Sequence, residues 1–360
     1  MAMPLAGVTI LDLTRLLPGA AATLKLAEHG AEVIKIEEPG RGDYGRSMRP
    51  LIDGVGAVFH QVNGGKKSVA LNLKDPRGRE ALLRLAERAD VLVDGFRPGV
   101  MDRLGLGWDT LRVRNPRLIY ATLTGYGSEG ERAQWAGHDI NYIAMAGVLD
   151  LIGRKDGPPV IPGVQLADLA GGTMQLVIGI LLAILERAQT GAGRRVDVSM
   201  TDGVADLLPV PMARWAATGR PPERGHEVLS GRYACYNVYQ AGDGRWLAVG
   251  ALEPKFWEIL CRRLGCEDLV AGQFAEDPRR IEVIARVSEI FATRPASEWF
   301  EILKGEDCCV TLVLRLDEAQ QLTTLPPPPA LGEHTRVLLL EAGYSEAELD
   351  ELARAGVTAP

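Results

Sequence analysis

The stretch GVTILDLTRLLPGAAATLKLAEHGAEVIKIEEPG, Gly7 to Gly40, holds the reading that decides the fold. Its first seven residues are a compact apolar run, LLPG is a turn, AATLKLAEHG has helical composition and closes on Gly30, and AEVIKIE alternates apolar with polar. The order is strand, helix, strand. Its spacing suits a right-handed crossover between two parallel strands. The same order returns in KSVALNL (67–73), DPRGREALLRLAERAD (75–90), which has Pro76 in its first turn, and VLVDGF (91–96). RLIYATLTGYG (117–127) adds a strand that ends in a glycine turn. The first 125 residues therefore predict an open, parallel α/β sheet of Rossmann-like type.

Beyond Gly137 the pattern turns helical. NYIAMAGVLDLIG (141–153) is followed by a long apolar helix from about Leu169 to Gln189, expected to be buried. Its apolar run, Met174 to Leu185, is shorter than the roughly 18–20 residues that cross a bilayer, so no membrane association is expected. RRVDVSM (194–200) reads as a strand, and the Pro- and Gly-rich ATGRPPERGHEVLSG (217–231) as the best linker. YACYNVYQAGDGRWLAVGAL (233–252) predicts two strands around a Gly-Asp-Gly turn. With the helices that follow, it forms a smaller α+β unit. The expected domains are 1–190 for the first part of a large domain, 191–220 for a linker region, 221–306 for the small domain, and 307–360 for a return to the large one. A length of 360 residues fits two domains at roughly 150 residues each. The proline tract LPPPPA begins at Leu325.

Composition removes several classes of function. Against 40 basic side chains stand 47 acidic ones, a net charge of −7, which disfavours a nucleic-acid partner. Five cysteines without a C-x-x-C pair predict reduced thiols, no metal site and a cytoplasmic location. The start, MAMPLAGVTILDLT, carries no basic head or cleavage pattern. Neither the G-x-G-x-x-G fingerprint nor a Walker-type phosphate loop is present, which argues against nicotinamide and nucleoside triphosphate chemistry.

Polar or glycine-rich segments follow three of the predicted strands: EEPGRGDYGR (37–46), DGFRPGVMDRLGLG (94–107) and GYGSEGERAQWAGHDINY (125–142). The C-terminal ends of strands are where an open α/β sheet binds its ligands. Arg41, Arg46, Lys66, Lys67, Lys74, Arg97 and Arg103 are expected to make that crevice locally positive, although loop charges also serve simply as solvated surface. His138 stands at the predicted start of a helix, beside N–H groups able to hold a developing anion. That suits a general base, although a lone histidine is more often structural. Asp168 precedes the long helix, with Gly171 and Gly172 after it, so it reads either as an N-cap or as a catalytic carboxylate. Glu253 ends a predicted strand, and Pro254 opens the next helix.

Taken together, GHDINYI, ADLAGG, VLVDGFRPGVMDRLGLG, KKSVALNLK, GRRVDVSMTDG and GALEPKF resemble the family III CoA-transferase superfamily, within it the alpha-methylacyl-CoA racemase branch. The strings occur in order over nearly the whole chain. The resemblance implies a Rossmann-like large domain and a small α+β domain in an interlocked homodimer that binds an acyl-CoA thioester. It implies His138 and Asp168 as the acid/base pair on opposite faces of the α-carbon. It implies that Glu253 supports the aspartate from the partner chain. For CoA it implies Leu71, Asn72, Leu73 and Lys74; Gly95, Phe96 and Arg97; Arg103; and Gly137, Asp139, Ile140, Asn141 and Tyr142. No cofactor is implied beyond the CoA of the substrate.

The chain departs from this pattern twice. Glu38 stands where many relatives carry an arginine for the CoA phosphates, which leaves Arg41 or Arg46 to substitute. DCCVTLVLRLDEAQQLTTLPPPPALGEHT (307–335) also shortens the segment that returns to the large domain. The expected activity is inversion at the α-carbon of 2-methylacyl-CoA. The alternative is CoA transfer between carboxylic acids through an acyl anhydride on Asp168.

Overall fold

The computed structural model describes residues 3–321 and 326–359; Leu325 of the proline tract lies outside them. The chain divides into two units, Met1–Leu149 with Ile161–Leu208 and Thr324–Pro360, and Asp150–Val160 with Pro209–Thr323.

The first unit is built on a six-stranded sheet. Its strands are β1 (Thr9–Leu13), β2 (Glu32–Glu37), β3 (Lys67–Ala70), β4 (Val91–Asp94), β5 (Ile119–Thr124) and β6 (Arg195–Ser199). They lie in the order β3-β2-β1-β4-β5-β6, and every pairing is parallel. Leu11 is in register with Ile34 on one side and Leu92 on the other, and all three side chains are buried. Such two-sided burial is what near-continuous apolar strands dictate. Helix α1 (Pro18–Glu28) places its proline in the first turn, where no helical donor is lost. Asp75 caps α2 (Pro76–Ala86) by accepting the Arg77 N–H at 2.8 Å.

Helix α3 (Asp139–Met145) is short, and a π-helical segment, Ala167–Met174, runs directly into α4 (Gln175–Thr190). By length and composition the stretch Ala167–Thr190 is apolar enough to cross a bilayer. Leu176, Ile180, Ala183 and Arg187 are buried, but Ile178, Leu182 and Leu185 are exposed. The expectation of a fully buried helix is thus half right. A run that is apolar all round carries no periodicity to show which face is covered. After β6 comes α5 (Met200–Ala205). Residues 191–208 therefore supply the last strand of the sheet and a helix behind it, where a linker was expected.

The C-terminal return closes the free edge at β3. The His334 N–H donates to the Ser68 carbonyl at 2.9 Å, and Thr335 Oγ1 accepts the Ala70 N–H at 3.0 Å. Further on, the Asn72 N–H donates to the Val357 carbonyl at 2.8 Å. These bonds occupy edge groups that would otherwise template pairing with another strand.

The second unit holds the antiparallel sheet β7 (Tyr236–Gln240), β8 (Trp246–Gly250) and β9 (Val310–Leu312), in the order β9-β8-β7. β7 and β8 form the hairpin that the sequence predicts. Strand β9 lies within residues expected to begin the return, so that return starts later. Trp257, Phe291 and Trp299 fill the core of this unit, and the two indole N–H groups donate to the carbonyls of Val270 and Phe291.

Candidate active site

His138 is the N-cap of α3, and its backbone N–H donates to Asn141 Oδ1 at 3.0 Å. The third helical residue thus reaches back and fixes the start of the helix. Two glycines make room for the aromatic packing beneath it. A Cβ on Gly125 would lie 2.3 Å from the Tyr142 ring, and one on Gly137 would lie 2.7 Å from it. Tyr142 packs edge-on against Tyr126, with centroids 5.1 Å apart, and its hydroxyl donates to the Gly137 carbonyl. The imidazole is left exposed on this platform.

Asp168 lies inside the π-helical segment, so it is no N-cap; Leu166 takes that place. π-Turns widen a helix by one residue per turn and are frequent at functional sites. The Asp168 N–H donates to Asp139 Oδ1 at 3.0 Å, which joins the two motif segments. Of the two glycines after Asp168, Gly171 meets α5, where a Cβ would lie 2.5 Å from the Met200 carbonyl oxygen.

Electrostatics marks the same cluster. Burial first, and then the Asp139 charge, raise the Asp168 carboxyl to about 6, with His138 pulling the other way. Burial and then the Asp168 charge push Tyr142 up to about 12, against the pull of Arg97. His138, Asp139, Tyr142, Asp168 and Arg97 thus share one local field. A carboxyl that titrates near neutrality can both take and return a proton.

Two cavities open at the C-terminal ends of the strands. One of about 350 Å³ is lined by Leu71, Asn72, Leu73, Lys74 and Phe96, with Arg15, Arg41 and Tyr44. The other, about 200 Å³, is lined by Phe96, Arg97, Asp94, Thr124 and Arg195 among others. Phe96 stands between them. Gly95 and Arg103 line neither, and Arg103 lies beside Gly99. Ile140, on the first turn of α3, is exposed.

The expected basic crevice is only partly there. Lys66 is fully buried and bonded to Asp12 at 3.1 Å; Arg46 is closed on Glu37 at 2.6 Å; Lys67 pairs with Glu32. Lys66 and Lys67 have carboxylate partners distant in sequence, which one sequence does not reveal, and Arg46 folds back onto a glutamate of its own strand-end segment. Arg46 is therefore unavailable to replace the arginine missing at position 38. Arg15 and Tyr44 were not singled out as ligand contacts, although Arg15 follows the end of β1 as the strand-end rule requires. Glu253 is the N-cap of the helix Pro254–Leu264 in the second unit, where its exposed carboxylate lies near Cys309.

Residues 5–335 match CoA-transferase family III. The human alpha-methylacyl-CoA racemase is 36% identical over 97% of this chain and 96% of its own length. Acetyl-CoA:oxalate CoA-transferase of Acetobacter aceti is also 36% identical, over 89% of this chain and 83% of its own. A crystal structure of a CAIB/BAIF family protein from Brucella suis superposes with a TM-score of 0.82 at 26% identity, covering 95% of this chain and 100% of that one.

Proposed function

The chain belongs to CoA-transferase family III, and we propose that within it the protein inverts the α-carbon of 2-methylacyl-CoA thioesters by proton transfer through His138 and Asp168. The observation that carries this reading is the joining of the two segments, His138 beside Asp139 and Asp139 bonded to Asp168, with the carboxyl raised to about 6. The thioester carbonyl acidifies the α-hydrogen. One group removes that proton from one face and leaves an enolate; the conjugate acid of the other returns a proton to the opposite face. The N–H groups of Asp139 and Ile140, in the first turn of α3, have no intrahelical acceptor and are suited to the enolate oxygen. The reaction is redox-neutral and uses no cofactor beyond the CoA of its substrate.

The proposal includes a homodimer in which Glu253 of one chain supports Asp168 of the other. The uncovered apolar stripe of α4, with Ile178, Leu182 and Leu185, supports an assembly of copies. Five free cysteines suit a reducing, cytoplasmic setting.

The A. aceti relative supports the alternative, in which Asp168 attacks the thioester and an acceptor acid completes the transfer. One experiment separates the two. A single epimer of a 2-methylacyl-CoA, incubated in deuterated water without any acceptor acid, is expected to give both epimers carrying α-deuterium. Turnover that requires an acceptor acid, with an acyl-enzyme trapped by hydroxylamine, replaces the epimerase reading with the transferase one.

A further inference from the structure

Asp168 is held from two sides. Its backbone N–H goes to Asp139, in the first turn of α3. The second hold comes from within its own π-helical segment. A π-turn closes from a carbonyl onto the N–H five residues on, one residue later than an α-turn, and the residue five after Asp168 is Thr173. Thr173 is buried, and its hydroxyl donates to the Pro18 carbonyl, in the first turn of α1, at 2.7 Å. A threonine inside a helix commonly turns its hydroxyl back on a carbonyl of the same helix. Here the hydroxyl leaves the helix and ties the wide turn to a neighbour.

That neighbour is fixed by buried charge. Asp12 accepts the N–H of Thr14 at 2.9 Å and its hydroxyl at 2.6 Å. Lys35 Nζ donates to the Thr14 carbonyl at 2.9 Å and pairs with Asp43 at 3.0 Å, and Asp43 accepts the Leu16 N–H at 3.2 Å. Asp12, Lys35 and Asp43 are all buried. Leu16 has φ 62, a left-handed conformation that a leucine adopts only when held. A Cβ on Gly19 would lie 2.4 Å from the Thr14 side chain, so the start of α1 is seated on the same turn. The Pro18 carbonyl is therefore a fixed acceptor for Thr173.

The geometry that depends on this bond is the direction of Asp168. Relaxing the π-turn to α spacing removes one residue from the turn, which would rotate Asp168 by about 100° around the helix axis. The carboxyl would then leave the side on which Asp139 meets it.

We propose that Thr173 is a positioning residue for the reaction: its bond to Pro18 keeps the π-turn open and so holds the Asp168 carboxyl at the face of the α-carbon that it serves. The inference rests on the role proposed above for Asp168. Thr173→Val removes the donor and keeps the shape, whereas Thr173→Ser keeps the donor. Proton NMR of each pure epimer of a 2-methylacyl-CoA in deuterated water, with the full-length protein, reads the two faces separately. The epimer that Asp168→Asn no longer exchanges is the one facing Asp168. In Thr173→Val, α-proton exchange of that epimer is expected to fall roughly ten- to a hundredfold, with exchange of the other kept within about twofold. Calorimetric affinity for CoA stays unchanged, and Thr173→Ser exchanges both epimers at close to the wild-type rates. Thermal melts show whether each variant folds; where the valine does not, Thr173→Ala carries the same comparison. A folded variant without the donor that slows both epimers equally, or neither, overturns the inference and leaves the epimerase reading standing. So does a serine variant as slow as the valine one. A wild-type protein that exchanges neither epimer overturns that reading and the inference with it.

Discussion

Asp139 Oδ1 accepts the backbone N–H of Asp168 at 3.0 Å, so the residue next to His138 fixes the position of the second carboxyl and also charges its surroundings. Replacing Asp139 by asparagine keeps an acceptor and removes the charge. The Asp168 carboxyl, about 6 in the native protein, then falls toward its ordinary range. In the direction in which Asp168 removes the proton, the acid limb of the pH profile of kcat/KM moves to lower pH by roughly half a unit or more. Asp139→Ala also loses the N–H acceptor and lowers kcat. α-Deuterium incorporation measured from pH 4 to 8 checks both effects, and an unmoved acid limb in Asp139→Asn separates the two carboxylates.

The proposed pair of acid/base groups on opposite faces makes a prediction that one group does not. His138→Gln and Asp168→Asn each lower epimerisation by about 10²- to 10⁴-fold. Each variant nevertheless exchanges the α-proton of one epimer, the one whose hydrogen faces the surviving group, and the two variants choose opposite epimers. Proton NMR of each pure epimer in deuterated water reads this. Exchange of both epimers by either variant points to one mobile base.

What the sequence made legible follows from how local the cause is. The β1-α1-β2 order rests on period and on Pro18 and Gly30, all inside one segment. The place of His138 at a helix start was legible from the glycine before it. Of the two readings of Asp168, the cap fails, and the sequence did not show it because a π-turn has no residue signature distinct from the helix it interrupts. Lys66 was assigned to the crevice because nothing near it in sequence reveals Asp12, its partner on β1, and Arg46 because the loop conformation that folds it back onto Glu37 has no residue signature. Arg15 was passed over because it is a single charge in an apolar run.

Asp94 tests the cost of a buried carboxyl. It accepts the Tyr120 hydroxyl at 2.6 Å and the Phe96 N–H at 2.9 Å, yet burial raises it to about 6. The folded protein thus binds this proton more tightly than the unfolded chain does. The resulting stability is present in full below about pH 4 and is lost as pH rises toward about 6. Asp94→Asn does not titrate, so relative to wild type it is expected to gain roughly 2–3 kcal/mol at pH 8 and little at pH 4. Denaturant melts at both pH values check it.

Lys66 and Asp12 are both fully buried, and Lys66 Nζ also donates to the Ala20 carbonyl at 2.9 Å, to Thr23 Oγ1 at 2.8 Å and to Asn63 Oδ1 at 3.0 Å. Burial draws the Lys66 ammonium down to about 8 even beside Asp12. Lys66→Met removes one of the two buried ammonium groups that face Asp12, leaving Lys35 and the Thr14 and Thr23 hydroxyls beside the carboxylate, and is expected to cost up to about 3–5 kcal/mol. Adding Asp12→Asn removes the under-compensated charge and recovers part of that cost. A double-mutant cycle in urea measures the recovery, and strict additivity would mean that the two groups do not interact.

The two glycines after Asp168 differ in what surrounds them. A Cβ on Gly171 would lie 2.5 Å from the Met200 carbonyl oxygen and 2.7 Å from the Val204 nitrogen, and one on Gly203 would lie 2.1 Å from the Gly171 oxygen. Two backbones touch there, and neither can move without carrying its helix. A Cβ on Gly172 instead meets the Met200 side chain, at 2.9 Å from Cγ, which can rotate away. Gly171→Ala is therefore expected to cost about 1–3 kcal/mol, and Gly172→Ala less. Because the π-segment that carries Asp168 is what Gly171→Ala displaces, that variant also slows α-proton exchange on the Asp168 face more than on the His138 face. Thermal melts of the two variants, set beside exchange rates for the two epimers, measure this. Equal slowing on both faces would assign Gly171 to stability alone.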